Sequence, residues 1–211
     1  MVELAEAAFT EVAAWRDTLR AGKKHLQDQA RAREVAARTV RNFQPTVIPG
    51  LLQTPEYVHR VIPLADICGE IDHAASAAAR LERQQALFDS GRRFEFLIGD
   101  FALRFNPTSS TDLLVAQLDR VASLARMKNM HIGVLSTASR AVATPWSNFV
   151  IYEGEETFVT IELAHAQVKV TDPRDVDLYR TLYDRLWNHA AKDHDAVTLI
   201  HQAAAELRAE G

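Results

Sequence analysis

Arg80, Arg83 and Gln84 fall within little more than one turn of a helical stretch. Two guanidinium groups so placed can grip a carboxylate or phosphate through planar, paired donors. The competing use of such charges is a surface ion pair, with Glu82 as the partner. Asp100 follows the apolar run that ends at Gly99. A carboxylate there is one group from which proton transfer is built, or it is the acidic first residue of a helical turn. Trp146, beside Pro145, ends a loop from Arg140 that is apolar between its ends. Such a loop suits the wall of a small-molecule pocket, which is largely apolar with a few polar groups.

Other chemistries lack their residues. The eight histidines form no His-Glu-x-x-His, and no Cys-x-x-Cys accompanies them. Neither Gly-x-Ser-x-Gly nor a glycine-rich phosphate loop occurs. No catalytic residue, metal or cofactor is therefore expected, and the reading is not an enzyme. The alternative is a small-molecule enzyme with an acid-base site near Asp100, with Arg80 and Arg83 beside it.

The element that must position these groups is the stretch from Phe43 to Arg60. Pro45 ends whatever precedes it. Pro49-Gly50 reads as a turn. Thr54-Pro55-Glu56 reads as a helix start, with a threonine cap, proline at the first position and an acid near the positive end of the dipole. Val47, Ile48, Leu51 and Leu52 are too apolar for an exposed loop. A buried, rigid elbow joining two helical parts is expected, with Gln53 and Tyr57 as its candidate contacts to a ligand or partner.

Around the elbow, the spacing of Leu4, Ala8, Val12, Trp15 and Leu19 predicts one long helix, or two nearly collinear ones, over residues 3–42, with a polar middle. A short helix follows from Thr54 to about Val61, where Pro63 interrupts, and a longer one runs from Glu70 to Asp89. Phe94, Phe96 and Ile98 alternate as a strand, a helix capped within Ser109–Asp112 runs to near Asn129, and Met130–Leu135 is a second strand. That order predicts a right-handed parallel crossover. Residues 148–152 and 157–163 form a hairpin, 167–170 adds a fifth strand, and two helices close the chain. The fold class is α+β: a helical N-terminal half with a long helix, then a four- to five-stranded mixed sheet flanked by helices. The domain reading is a helical arm over 1–45 and a ligand- or partner-binding domain over 46–211.

The chain has 211 residues, 47% hydrophobic, enough for one substantial core. Its charge is −4, with a small basic excess before residue 45 and an acidic excess after it. A free-standing nucleic-acid binder is usually basic, so most of the chain is a poor candidate for one. One cysteine, Cys68, excludes an internal disulfide. With no basic leader and no spanning apolar run, a cytoplasmic location is expected.

The string Val47-Ile-Pro-Gly-Leu-Leu-Gln-Thr-Pro-Glu-Tyr57 resembles the signature of a large actinobacterial group. This is the effector-side domain, of unknown function, of the Scr1-family antitoxin-like transcriptional regulators. Trp15, Glu34–Ala37, the Arg80-Leu-Glu-Arg-Gln84 stretch, Phe96–Arg104, Val115–Leu118 and Ile132–Leu135 match the pattern in order. Asp100 stands where the family usually carries glutamate. The resemblance implies a regulatory domain that binds a small molecule or a small partner protein and acts through dimerisation. No DNA-reading helix-turn-helix is found before residue 10. The expectation is that DNA is reached only through such a domain, not seen in this chain.

Overall fold

The computed structural model describes residues 10–14, 32–33, 36–67, 69, 72–107, 110–138, 140–144, 146–164 and 166–210. Its framework is an eight-stranded mixed sheet. The strands are β1 (Thr10–Ala14), β2 (Ala37–Gln44), β3 (Arg93–Gly99), β4 (Met130–Leu135), β5 (Phe149–Gly154), β6 (Thr157–Glu162), β7 (Ala166–Val170) and β8 (Ala191–Lys192). Their spatial order is β1-β7-β6-β5-β2-β3-β4-β8. β2, β3 and β4 run parallel, and the remaining neighbours pair antiparallel.

The helices are α1 (Pro55–Ala65), α2 (His73–Arg83), α3 (Asp100–Arg104), α4 (Thr111–Leu124), α5 (Pro173–His189) and α6 (Asp193–Glu210). Short 3-10 turns cover Gly50–Leu52 and Gln84–Phe88. Among the described residues no helix is long and apolar enough to cross a membrane.

Two apolar layers hold the sheet. On one face, Leu114, Leu118 and Val121 of α4 and Ile200 and Ala204 of α6 pack with Phe94, Phe96, Ile98 and Ile132. On the other, Tyr183 and Leu186 of α5 pack with Phe43, Leu97, Phe149 and Ile151. The β3–α4–β4 crossover, the β5–β6 hairpin and the short strand after it stand where the sequence puts them.

The N-terminal expectation needs correction. Of the long helix expected over 3–42, residues 1–9, 15–31 and 34–35 lie outside the described residues. Thr10–Ala14 and Ala37–Gln44 are strands, while residues 32, 33 and 36 are helical. β2 sits in mid-sheet between β5 and β3, so residues 37–44 belong to the sheet rather than to an arm ending at 45. Val40 and Phe43 are both fully buried, on opposite faces. A strand covered on both sides loses its period of two, and its apolar positions then mimic a helical stripe. Because β1, β2 and β8 join the sheet, the expected four or five strands become eight.

The elbow therefore joins a strand to a helix. Ile48 and Leu52 are fully buried. Leu52 N–H donates to the Pro49 carbonyl at 2.8 Å. The Thr54 hydroxyl accepts from Tyr57 N–H at 3.2 Å, as a cap should. α1 continues past Pro63, which lies in its last turn, rather than stopping before it.

Candidate functional site

Glutamines fasten the elbow from three sides. Gln117 of α4, fully buried, accepts from Thr54 N–H at 2.7 Å and donates to the Leu52 carbonyl at 2.9 Å. Gln84 donates to the Gln53 carbonyl at 2.8 Å and to that of Gly50 at 3.3 Å. Gln53, only 2% exposed, donates to the Ile48 carbonyl at 2.7 Å. Its Oε1 accepts from Arg80 Nη1 at 2.9 Å. A buried 3-10 turn offers several backbone groups with no partner of their own, and the glutamines satisfy them.

Beside this assembly a cavity of about 370 Å³ opens over the sheet. Its floor comes from β2, β5 and β6: Val40 and Asn42, Val150 and Tyr152, Thr160 and Glu162. These residues share a face because Val40 pairs with Tyr152, Asn42 with Val150, and Val150 with Thr160. Gln53, Arg80 and Arg83 form the opposite wall, and Arg33 and Gln167 line the cavity as well. Arg33 Nη1 donates to Gln167 Oε1 at 2.5 Å.

Three guanidinium groups thus face one carboxylate, Glu162. Burial holds Arg80 below the ordinary arginine value; Glu162 opposes that shift and Arg83 adds to it. A desolvated cation in such a place is a strong attractor for an anion. Asn42 is 8% exposed, and its Oδ1 has no hydrogen-bond partner among the described residues. A buried acceptor left open costs about 1–3 kcal/mol, and a ligand donor would recover it. No cluster of histidine, cysteine, aspartate or glutamate suited to a metal is found among the described residues.

The cavity brings together Gln53, Arg80 and Arg83 of the expected residues. Gln84 lies behind them, buried, as a strut of the elbow. Tyr57 is fully buried beneath the elbow and does not line the cavity; burial pushes its hydroxyl up to about 12. Asp100, the first residue of α3, is elsewhere: it pairs with Arg104 and accepts from the Thr137 hydroxyl at 3.0 Å. Trp146 is 91% exposed and does not line this cavity, so it is not brought together with Gln53, Arg80 and Arg83.

Sequence reasoning missed Asn42, Thr160, Glu162, Arg33 and Gln117. Gln117 carried a signal, since it interrupts the stripe Leu114, Leu118, Val121 on the buried side of a helix. Asn42 carried none while its segment was read as helical.

Among solved structures, the chain is similar to TrmBL2, an archaeal chromatin protein described as showing a novel mode of DNA binding. The identity is 14% and the TM-score 0.41, over 87% of this chain and 53% of that one, so the chain spans about half of TrmBL2. It is also similar to NucT from Helicobacter pylori, at 9% identity and a TM-score of 0.49, over 86% of this chain and 97% of that one. No curated protein matches. Residues 27–202 match the model of a family described as a domain of unknown function.

Proposed function

The chain belongs to the DUF5753 family, and from that premise we propose that it is the effector-binding domain of an antitoxin-like transcriptional regulator of the Scr1 type. The effector is a small anion that also carries a hydroxyl, such as a hydroxy acid or a sugar phosphate, with its anionic group on Arg80 and Arg83 and its hydroxyl donating to Asn42 Oδ1 on the floor. One observation carries this reading: Asn42, whose Oδ1 is buried and without a partner among the described residues, lines a cavity whose charged lining is mostly arginine. The volume, near the lower end of the range for ligand pockets, suits a small molecule rather than a nucleotide.

Binding alone changes nothing unless two arrangements differ in affinity for the ligand. The elbow and β2 are the elements placed to feel the difference. Segment 33–44 gives Arg33, Asn42 and Gln44 to the cavity, and the elbow gives Gly50, Leu51 and Gln53. An occupant therefore touches the chain just before and just after β2. A regulator whose DNA-reading part precedes this segment would receive the signal along it. On this reading the domain binds and does not catalyse: Asp100 is engaged by Arg104 and Thr137, apart from the arginines of the cavity. A small partner protein and dimerisation belong to the same reading. Analytical ultracentrifugation with and without the anion tests the second of these.

The decisive experiment is a thermal-melting screen of the chain against short carboxylates, phosphate and sugar phosphates. At least one anion should raise the melting temperature in a concentration-dependent way, and Arg83→Ala should abolish the rise. A flat response to the whole panel, or an undiminished response in Arg83→Ala, removes the proposal.

A further inference from the structure

A second crevice, of about 830 Å³, lies at the other end of the parallel strands from the elbow. Three adjacent strands begin there: β2 at Ala37, β3 at Arg93 and β4 at Met130. Each entering segment brings cations to the lining. Arg38 comes with β2, Arg92 and Arg93 with β3, and Arg126 and Lys128 with β4. No aspartate or glutamate lines the crevice among the described residues. Arg92 pairs with Asp89 and Arg93 with Glu95, each at 2.8 Å. Arg38, Arg126 and Lys128 are exposed and make no ion pair among the described residues.

The lining also holds Phe88, with 62% of its surface open. A single exposed ring is unremarkable by itself. Beside Arg38, Arg126 and Lys128, which make no ion pair among the described residues, it supplies a flat apolar platform. The loops are fixed in place: Asn129 donates through Nδ2 to the Leu87 carbonyl at 2.9 Å and to that of Asp89 at 3.1 Å. Phe94 N–H donates to the Asn129 carbonyl at 2.8 Å. His131 lies in the lining too; burial, then Arg93, hold it below its ordinary value. The attraction comes from the arginines and the lysine.

We propose that this crevice binds a single-stranded nucleic acid, with backbone phosphates on Arg38, Arg126 and Lys128 and a base stacked on Phe88. The combination of a cationic groove with an aromatic platform is the one that single strands need. A duplex keeps its bases stacked on one another and offers none to Phe88. The site is independent of the anion cavity, with which it shares no lining residue.

The test is fluorescence anisotropy of a labelled thymidine homopolymer titrated with the full chain across a salt series. With about three phosphates engaged, affinity falls roughly twentyfold between about 50 and 200 mM salt. The triple variant Arg38→Ala/Arg126→Ala/Lys128→Ala removes those contacts and flattens the log–log salt slope by about 2. Phe88→Ala weakens binding by roughly tenfold and leaves the slope unchanged. All four side chains are exposed, and melting curves will show whether the variants stay folded. The proposal is overturned by no binding at low salt, by parental binding of the triple variant, or by a duplex held more tightly than the single strand. Unchanged binding by Phe88→Ala overturns it as well.

Discussion

At the scale of single residues, Asn42 separates what the fold needs from what a ligand needs. Its Oδ1 is buried and without a partner among the described residues, so in the empty protein it is a cost. Asn42→Leu keeps nearly the same shape and removes the polar atoms. The variant should be more stable than the parent by about 1 kcal/mol in urea unfolding, while its melting temperature no longer responds to the anion. A destabilised variant would mean that Asn42 is satisfied in the folded protein. Tyr57 makes a different case. Its hydroxyl donates to the Phe105 carbonyl at 3.4 Å, and burial lifts it to about 12 from an ordinary value of 10.0. The folded chain keeps this proton in a pH window where the unfolded chain has lost it. The stabilisation is therefore complete below pH 10 and is lost as pH climbs from there towards 12, by about 2–3 kcal/mol in all. Tyr183, also raised by burial, steepens the fall. Tyr57→Phe should flatten part of this alkaline slope in unfolding curves recorded on either side of pH 10. An unchanged slope would assign the whole fall to other groups.

At the scale of elements, the elbow was legible because its information is local. A threonine cap, a proline at the first helical position and leucines around a Pro-Gly turn speak to their nearest neighbours, and the structure keeps all of them. β2 was not legible, because its identity comes from partners about fifty and a hundred residues away, β3 and β5. The same gap hid half of the cavity. Arg80, Arg83 and Gln53 lie on elements that the sequence announces, whereas Asn42 and Thr160 meet only once the strands pair. The join between elbow and sheet can be tested at Gly99. A Cβ there would stand 2.3 Å from the Pro45 carbonyl oxygen, and backbone cannot rotate out of the way as a side chain can. Gly99→Ala should destabilise the chain by about 3 kcal/mol, as overpacking against an unyielding wall does. Wild-type stability in that variant would show that the elbow is loosely seated.

At the scale of the whole molecule, net charge proved a poor guide to local potential. An overall charge of −4 averages a basic crevice at one end of β2 with a mostly acidic remainder, and the average describes neither. The cavity lies near the opposite end of the same strand, so one central element touches both. Occupancy of the cavity should then be readable along β2. A ligand at a hundred times its dissociation constant stabilises the folded state by about 2.7 kcal/mol. That gain slows exchange wherever amides exchange through global unfolding. Amides that open through local release of the elbow should gain more than this uniform increment, because the occupant bridges Asn42 to Arg80 and Arg83 across that opening. Hydrogen exchange with and without the anion identified by melting should therefore show excess protection confined to residues 42–54, 80–84 and 160–162. α6, packed on the far side of α4, should show only the uniform gain. Protection spread evenly over the chain would mean that the ligand binds without biasing the elbow. The domain would then be a binder with no route from its cavity to the segment that precedes β2.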